Sequence, residues 1–443
     1  MTMGDKKSIV IGAGLAGCEA ALQLAKRGIK VDLYEMRPHK TTGAHTTENP
    51  AEFVCSNSLG SFDVTNASGL LKKEMELLGS FLIKIAHEVA LPAGNALAID
   101  RVLFSKKVQD LLEENENITL IREEIKKIPD DVPVIVASGP LTSDELAEDI
   151  KNFTGSEHLH FFDAIAPIVE KDSINFDKAF FASRYDKGEA SYINCPMDKE
   201  EYEKFYNILI NAPKIELKEF EKNAKFFESC LPIEVLASRG VDTLRYGPMK
   251  PVGLVDKRTG KENYAVVQLR QDNQSATMYN LVGFQTNLKW GSQKELLQAI
   301  PGLENANILR YGVMHRNTFI NSPQLLDATL QCRKRKNLFF AGQITGTEGY
   351  TESIASGMLA GINLSAYLRG EKLLELSKLS MLGALTHYIS DSEQKHFQPI
   401  NSNWGIVEEL VADKKIKKNK KLKTEMLSNR ALEYVKAQAD LLK

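Results

Sequence analysis

The glycine turn Gly12-Ala-Gly14-Leu-Ala-Gly17 lies between two segments of different periodicity, and it constrains the fold of this chain more than any other feature. Before it, Ile9, Val10 and Ile11 form a short apolar run suited to a buried strand. After it, Ala20, Ala21, Leu24 and Ala25 recur near helical spacing, and Lys26-Arg27-Gly28 stops the helix with cations followed by glycine. Ile29 to Tyr34 reads as a second strand, closed by Glu35. In such a unit the first glycine permits the turn, the second lets a pyrophosphate approach the backbone, and the third lets helix and strand pack closely. Free N–H groups at the helix start favour the phosphate, and an acid at this distance can accept from ribose hydroxyls. The expected dinucleotide contacts are Gly12, Ala13, Gly14, Leu15, Ala16, Gly17 and Glu35. On this segment alone an S-adenosylmethionine site remains an alternative.

Two later strand-like runs also end in tight glycine turns. Val134 to Ala137 leads into Ser138-Gly139-Pro140, and Asn337 to Ala341 leads into Gly342-Gln343 and a small-residue helix from about Glu352 to Leu368. Three such strand ends suit an open α/β sheet that binds ligands at the carboxyl ends of its strands. The stretch Phe339 to Tyr350 resembles the second, C-terminal FAD segment of two-part flavoproteins, with Gln343 where many carry Asp. That favours FAD over NAD or S-adenosylmethionine and adds Gly342, Gln343 and Gly346 to the expected cofactor contacts. The fold class expected is α/β: a Rossmann-like two-part FAD-binding domain with an inserted α+β domain. Strand-like alternation at Tyr264 to Arg270 and a charged helix-like segment at Glu216 to Lys225 mark the insertion. The expected division is residues 1–186 and 310–400 for the two parts of the FAD domain, 187–309 for the insertion, and 401–443 for a C-terminal helical segment with a lysine run.

The 443 residues carry a formal net charge of -2, so any RNA binding has to come from local basic patches. No targeting segment and no membrane-spanning apolar run is visible, so a cytoplasmic location is expected. Cys18, Cys55, Cys195, Cys230 and Cys332 show no metal-ligand spacing, so no metal is expected.

Over nearly its whole length the chain resembles the folate- and FAD-dependent tRNA (uracil-5)-methyltransferases. The matching stretches are Ile11 to Gly17, Phe53-Val-Cys55-Ser-Asn-Ser-Leu59, Ser183 to Glu189, Phe227-Glu-Ser-Cys230-Leu-Pro-Ile-Glu-Val235, Gly247 to Gly253, Tyr311 to Pro323 and Ala341-Gly-Gln343. The resemblance implies transfer of a one-carbon unit from methylenetetrahydrofolate to carbon 5 of uridine, with reduced FAD as carrier and reductant and NADH or NADPH as electron source. It implies tRNA as substrate and 5-methyluridine in the T-loop as product; a uridine of large-subunit (23S) ribosomal RNA is the alternative target. No obligate protein partner is implied.

The chemistry explains the cysteines. Carbon 5 of uracil is a poor nucleophile until a thiolate adds to carbon 6, and a base must afterwards take the proton from carbon 5. By resemblance Cys230 maps to the nucleophile and Cys55 to a second functional cysteine near the flavin. Cys18, Cys195 and Cys332 read as packing residues. Three positions depart from the family pattern: Gly60 for Arg, Ser229 for Gly, and Asn287 for a His able to stack on a pterin.

For RNA contact, the insertion offers Arg239, Arg245, Lys250, Arg258, Lys261 and Arg270, with Tyr246 and Trp290 as aromatic candidates. A plain NAD(P)H–FAD oxidoreductase without methyl transfer is the competing class, but the chain has neither its CxxxxC dithiol nor a second GxGxxG.

Overall fold

The computed structural model describes residues 6–442 except 156–158, 165, 187–188, 216–230, 257, 395–396, 412–415 and 417–418; of 159–164, 261–262 and 314–316 it describes the backbone. Five parallel strands form the central sheet, in the spatial order Leu338–Phe340, Val134–Val136, Lys7–Ile11, Lys30–Tyr34, Ile118–Ile121. The chain winds outward from Lys7–Ile11 in both directions, so a switch point falls between that strand and Val134–Val136. There the connections leave on opposite sides and open a crevice at the carboxyl ends.

One face of the sheet is covered by the helices Leu15–Lys26 and Tyr350–Arg369, which come from opposite ends of the sequence. Both are built largely of small residues, and they touch backbone to backbone. A Cβ on Gly357 would lie 2.2 Å from the carbonyl oxygen of Ala16, and one on Gly361 would lie 2.7 Å from that of Ala20. Two buried carboxylates tie further helices to this layer. Glu19 accepts from the N–H groups of Phe81 and Leu82 and the hydroxyl of Ser80, and Glu74 accepts from the N–H groups of Met381 and Leu382. Each carboxylate sits at a helix start, where unpaired N–H groups favour negative charge.

A second unit contains six antiparallel strands in the order Phe180–Ala182, Tyr192–Met197, Ala265–Gln271, Met278–Leu281, Ile168–Glu170, Ile308–Arg310. The helices Lys199–Asn211, Ile233–Ser238 and Trp290–Gln298 pack on one face. Along Ala265–Gln271, Val267 and Leu269 enter that core while Gln268 and Arg270 point the other way, the period-two alternation of a sheet with two different faces. The expected boundary at 187 falls between two strands that pair with each other, Phe180–Ala182 and Tyr192–Met197. The sheet takes in two strands from before 187: Phe180–Ala182 pairs with Tyr192–Met197, and Ile168–Glu170 lies between Met278–Leu281 and Ile308–Arg310. The backbones of Leu159–Ala164 and Met314–Phe319 pair antiparallel, so the two chain crossings between the units form one ribbon.

The helix Lys420–Asp440 lies against Ala67–Leu78, with Ser428 donating to the carbonyl of Val64. Lys420 and Lys421 are exposed on its first turn; Lys414, Lys415, Lys417 and Lys418 of the lysine run lie outside the described residues. Among the described residues no helix is long and apolar enough to cross a membrane.

Candidate active site

A cleft opens at the switch point of the parallel sheet. Gly12, Gly14, Leu15 and Ala16 form its floor, Glu35 to Arg37, Thr42, His45 and Glu52 one wall, Ser138 to Ser143 another, and Gly342, Gln343, Tyr350 and Ser353 its far end. The turns after three parallel strands thus meet in one cavity.

The glycines of the first turn divide their work as spacing suggests. Gly12 has φ +98° and a Cβ there would lie 2.6 Å from the carbonyl of Ala137; on Gly17 it would lie 1.8 Å from that of Gly12. Both are required by packing. Gly14 is different: a Cβ built on it meets no atom within 4 Å, so its missing side chain leaves room in the cleft itself. That is the cradle a pyrophosphate requires. Ala13 is buried behind the turn and does not line the cleft; its N–H donates to Glu35 at 3.0 Å.

Glu35 is buried, and its other oxygen accepts from the backbone N–H and Nε of Arg37, at 3.1 and 2.8 Å. Burial alone would raise this carboxyl, but Arg37 and the N–H of Ala13 hold it below its ordinary range. Arg37 also bridges to Glu52 at 3.0 Å, and Glu52 accepts from the N–H and hydroxyl groups of Thr46 and Thr47. His45 Nδ1 lies 2.6 Å from the hydroxyl of Thr42. Burial, then the nearby charge of Arg37, pushes its imidazole down to about 4, so it is neutral at physiological pH.

At the far end Gly342 has φ +82° and is followed by a single 3-10 turn, Gln343–Thr345. Gln343 donates to Glu348 at 2.6 Å. Gly346 lies outside the cleft lining; its φ is +84° and a Cβ would strike the ring of Phe397 at 2.5 Å. Tyr350, the first residue of its helix, packs its ring tilted by 53° against Phe53, with centroids 4.4 Å apart, and accepts the backbone N–H of Cys55 at 2.6 Å. Cys55, half-buried, is therefore fixed at the mouth of the second cofactor segment.

Beyond Cys55 the two units meet in a buried polar junction. Asn57 accepts from Arg270 at 3.0 Å and from Asn280 at 3.1 Å, and donates to the carbonyls of Ile99 and Gln271. Asp272 binds Arg101 at 2.6 Å and Asn280 at 3.0 Å. Arg310 reaches back to the carbonyl of Ala44 on the cleft rim. Burial, with help from the charge of Arg101, lowers both Arg270 and Arg310, a sign that cations are concentrated here. None of this network is visible as a sequence motif, because its members are brought together from five separate segments.

Cys230 lies outside the described residues. The chain on either side of that gap is anchored to one short stretch: Ile215 N donates to the carbonyl of Asn287 and Ile233 N to that of Gln285. Asn287 is buried, and its amide donates to the carbonyl of Ile215. It serves this anchor and offers no ring-stacking surface. Among the expected RNA contacts, Arg245 is stacked 3.5 Å over Tyr264 and paired with Asp242, and Arg258 is paired with Asp256. Arg270 faces the junction. The described side chains contain no group of three or more His, Cys, Asp or Glu able to hold a metal.

A switch-point cleft, an acid at the end of the second strand and a returning C-terminal segment define a protein of the two-part dinucleotide-binding class. The fold agrees with solved relatives: Aquifex aeolicus GidA in its form II crystal superimposes with a TM-score of 0.71 at 17% identity, over 100% of this chain and 74% of that one. The form I crystal gives the same TM-score. A family model described as "Glucose inhibited division protein A" matches residues 7–372. Two bacterial proteins, each named "Methylenetetrahydrofolate--tRNA-(uracil-5-)-methyltransferase TrmFO", are far more similar. That of Halalkalibacterium halodurans is 58% identical over 426 residues, 96% of this chain and 97% of its own. That of an Exiguobacterium species is 57% identical over 440 residues, 99% and 100% of the two chains. The chain belongs to the TrmFO family, within the broader GidA group.

Proposed function

We propose that this chain methylates carbon 5 of a uridine in tRNA, in the T-loop, with methylenetetrahydrofolate as carbon donor, FAD as cofactor and NADH or NADPH as electron source. The observation that carries the proposal is the placement of Cys55: it is hydrogen-bonded to Tyr350 at the end of a cleft whose other end is the Gly14 cradle.

The chain's residues divide the work as follows. Gly12, Gly14, Leu15, Ala16 and Glu35 hold the dinucleotide end, and Gly342 and Gln343 hold the end toward the redox ring. Bound there, FAD supplies the electrons that turn the transferred carbon into a methyl group. Arg101, Arg270 and Arg310 concentrate positive charge at the junction beyond Cys55, which favours anionic groups there. The Cys230 thiolate adds to carbon 6 of uracil, forming a C–S bond and giving carbon 5 enolate character. After carbon 5 has bonded to the donor carbon, Cys55 takes the proton from carbon 5 and that electron pair expels the donor, leaving an exocyclic methylene; Cys230 then leaves carbon 6 as the methylene takes up the hydride that reduced FAD would supply there.

The test supplies purified protein with NADPH, methylenetetrahydrofolate labelled in its one-carbon unit, and either undermodified tRNA or ribosomal RNA. Label in 5-methyluridine of tRNA, lost in Cys230→Ala, is expected. Label in ribosomal RNA alone would keep the chemistry and change the target. No label in either, from protein whose FAD is bound and reducible, would overturn the proposal.

A further inference from the structure

Of the chain's two tryptophans, Trp404 packs against the core and Trp290 stands 61% exposed. Trp290 is not loose. It opens the helix Trp290–Gln298 and stacks on Tyr311, with ring centroids 5.3 Å apart and planes 16° from parallel. The pair is held from beneath by Gln293, which is fully buried. Its amide donates to the carbonyls of Leu288 and Gly312, at 2.7 and 2.9 Å, and its oxygen accepts from Gly312 N at 2.8 Å. One side chain thus locks the residues preceding Trp290 to the residue following Tyr311. A buried amide with its hydrogen bonds spent on positioning an exposed Trp290 ring and the half-buried Tyr311 ring behind it is not what general surface packing produces.

The position is informative. Leu288, two residues before Trp290, bridges to Lys214, and Lys289 N donates to the carbonyl of Pro213. The rings therefore stand on the stretch that anchors both flanks of the Cys230 segment. On the other side, Arg310, adjacent to Tyr311, reaches the cleft rim at Ala44. Lys214 and Lys289 are exposed beside the rings. A flat aromatic face flanked by cations, between the cofactor cleft and the anchor of Cys230, matches a nucleobase and its phosphate.

We propose that Trp290, backed by Tyr311, is a stacking platform for a nucleobase flanking the target uridine. The proposal rests on the RNA-methylating function above. A thiolate can reach carbon 6 only if the target base leaves its stack, and a neighbouring base then loses a partner. Trp290 takes that partner's place.

The experiment uses full-length FAD-loaded protein and undermodified tRNA transcript. In a Trp404→Phe background, where Trp290 is the sole tryptophan, RNA binding should quench the fluorescence. Trp290→Ala should raise KM for tRNA between about 5- and 100-fold, the equivalent of about 1–3 kcal/mol for one stacked base, with kcat changed far less. Trp290→Phe should recover most of the loss. FAD content and RNA-independent flavin reduction should be unchanged, and so should the salt slope of binding, since a stacked base releases no counterions. Bound RNA without quenching, or a KM in Trp290→Ala within twofold of the unsubstituted protein, would overturn the platform and leave the methyltransferase function intact. Failure of the unsubstituted protein to bind or methylate any RNA would overturn both.

Discussion

The phenol oxygen of Tyr350 accepts the backbone N–H of Cys55 across 295 positions of sequence, at 2.6 Å. This bond ties Cys55 to the start of the helix that follows the second cofactor segment, and Phe53 packs tilted against the same ring. Tyr350→Phe keeps the ring and removes this acceptor from the part-buried N–H of Cys55, at a cost of about 1–3 kcal/mol. Methyl transfer should fall roughly tenfold, the kinetic equivalent of about 1.4 kcal/mol, while FAD content stays at its usual level. Rates of 5-methyluridine formation at saturating folate check this, and an unchanged rate would show that Cys55 is placed by other means.

Gly14 and Gly17 make opposite predictions from the same motif. Gly17→Ala forces a methyl into the carbonyl of Gly12 and should destabilise the protein without cofactor by about 1–3 kcal/mol. The methyl of Gly14→Ala meets no protein atom within 4 Å, so the protein should keep its Tm while FAD affinity falls at least tenfold. Thermal melts and FAD titration separate the two; a lowered Tm in Gly14→Ala would mean that its space is not the ligand's.

Gly357→Ala tests the helix contact. Its methyl would sit 2.2 Å from the Ala16 carbonyl, where neither backbone can yield. Both Tm and FAD retention should drop together, since the substitution pries apart the two helices that carry the two cofactor segments. Retained FAD at a lowered Tm would uncouple helix packing from the site.

His45 predicts a pH dependence. Its folded-state pKa is pushed down from the ordinary 6.5 to about 4. Below 6.5 the unfolded chain takes up a proton that the folded protein refuses. Stability is therefore lost as pH falls from about 6.5 toward 4, with a slope of at most about 1.4 kcal/mol per pH unit, and nothing changes above 6.5. His45→Asn, which keeps an acceptor for Thr42, should flatten that slope. Melts of both proteins without cofactor between pH 5 and 7.5 measure it, and parallel curves would contradict the assignment.

The turn at Gly12, the acid at Glu35 and the strand end at Gly342 were legible in the sequence because each depends on local spacing. The Gly357 and Gly361 contact was also legible in principle: glycines four apart on a small-residue helix signal close helix packing. The wall made by Arg37, His45 and Glu52 was not, since residues 36–54 carry no periodicity and fold around long-range ion pairs. The junction of Asn57, Arg101, Arg270, Asp272 and Arg310 depends wholly on how the two units meet. For the same reason Arg270, read from sequence as an RNA contact, proved to face inward. Asn287, where the family resemblance has a His able to stack on a pterin, is buried and tethers Ile215, a contact no local spacing reveals.

The pairing of Leu15–Lys26 with Tyr350–Arg369 also bears on the life of the chain before it is finished. The edge strand Leu338–Phe340 and the helix after it complete the sheet and the cleft, yet they are made last among its parts. A ribosome that has released the Gly12 turn must synthesise more than 300 further residues before Gly357 can dock on Ala16. Closure across such sequence separation is slow. The nascent amino-terminal part therefore passes through most of translation with one apolar helix face uncovered and the cleft incomplete until Gly342–Ser353 has been made.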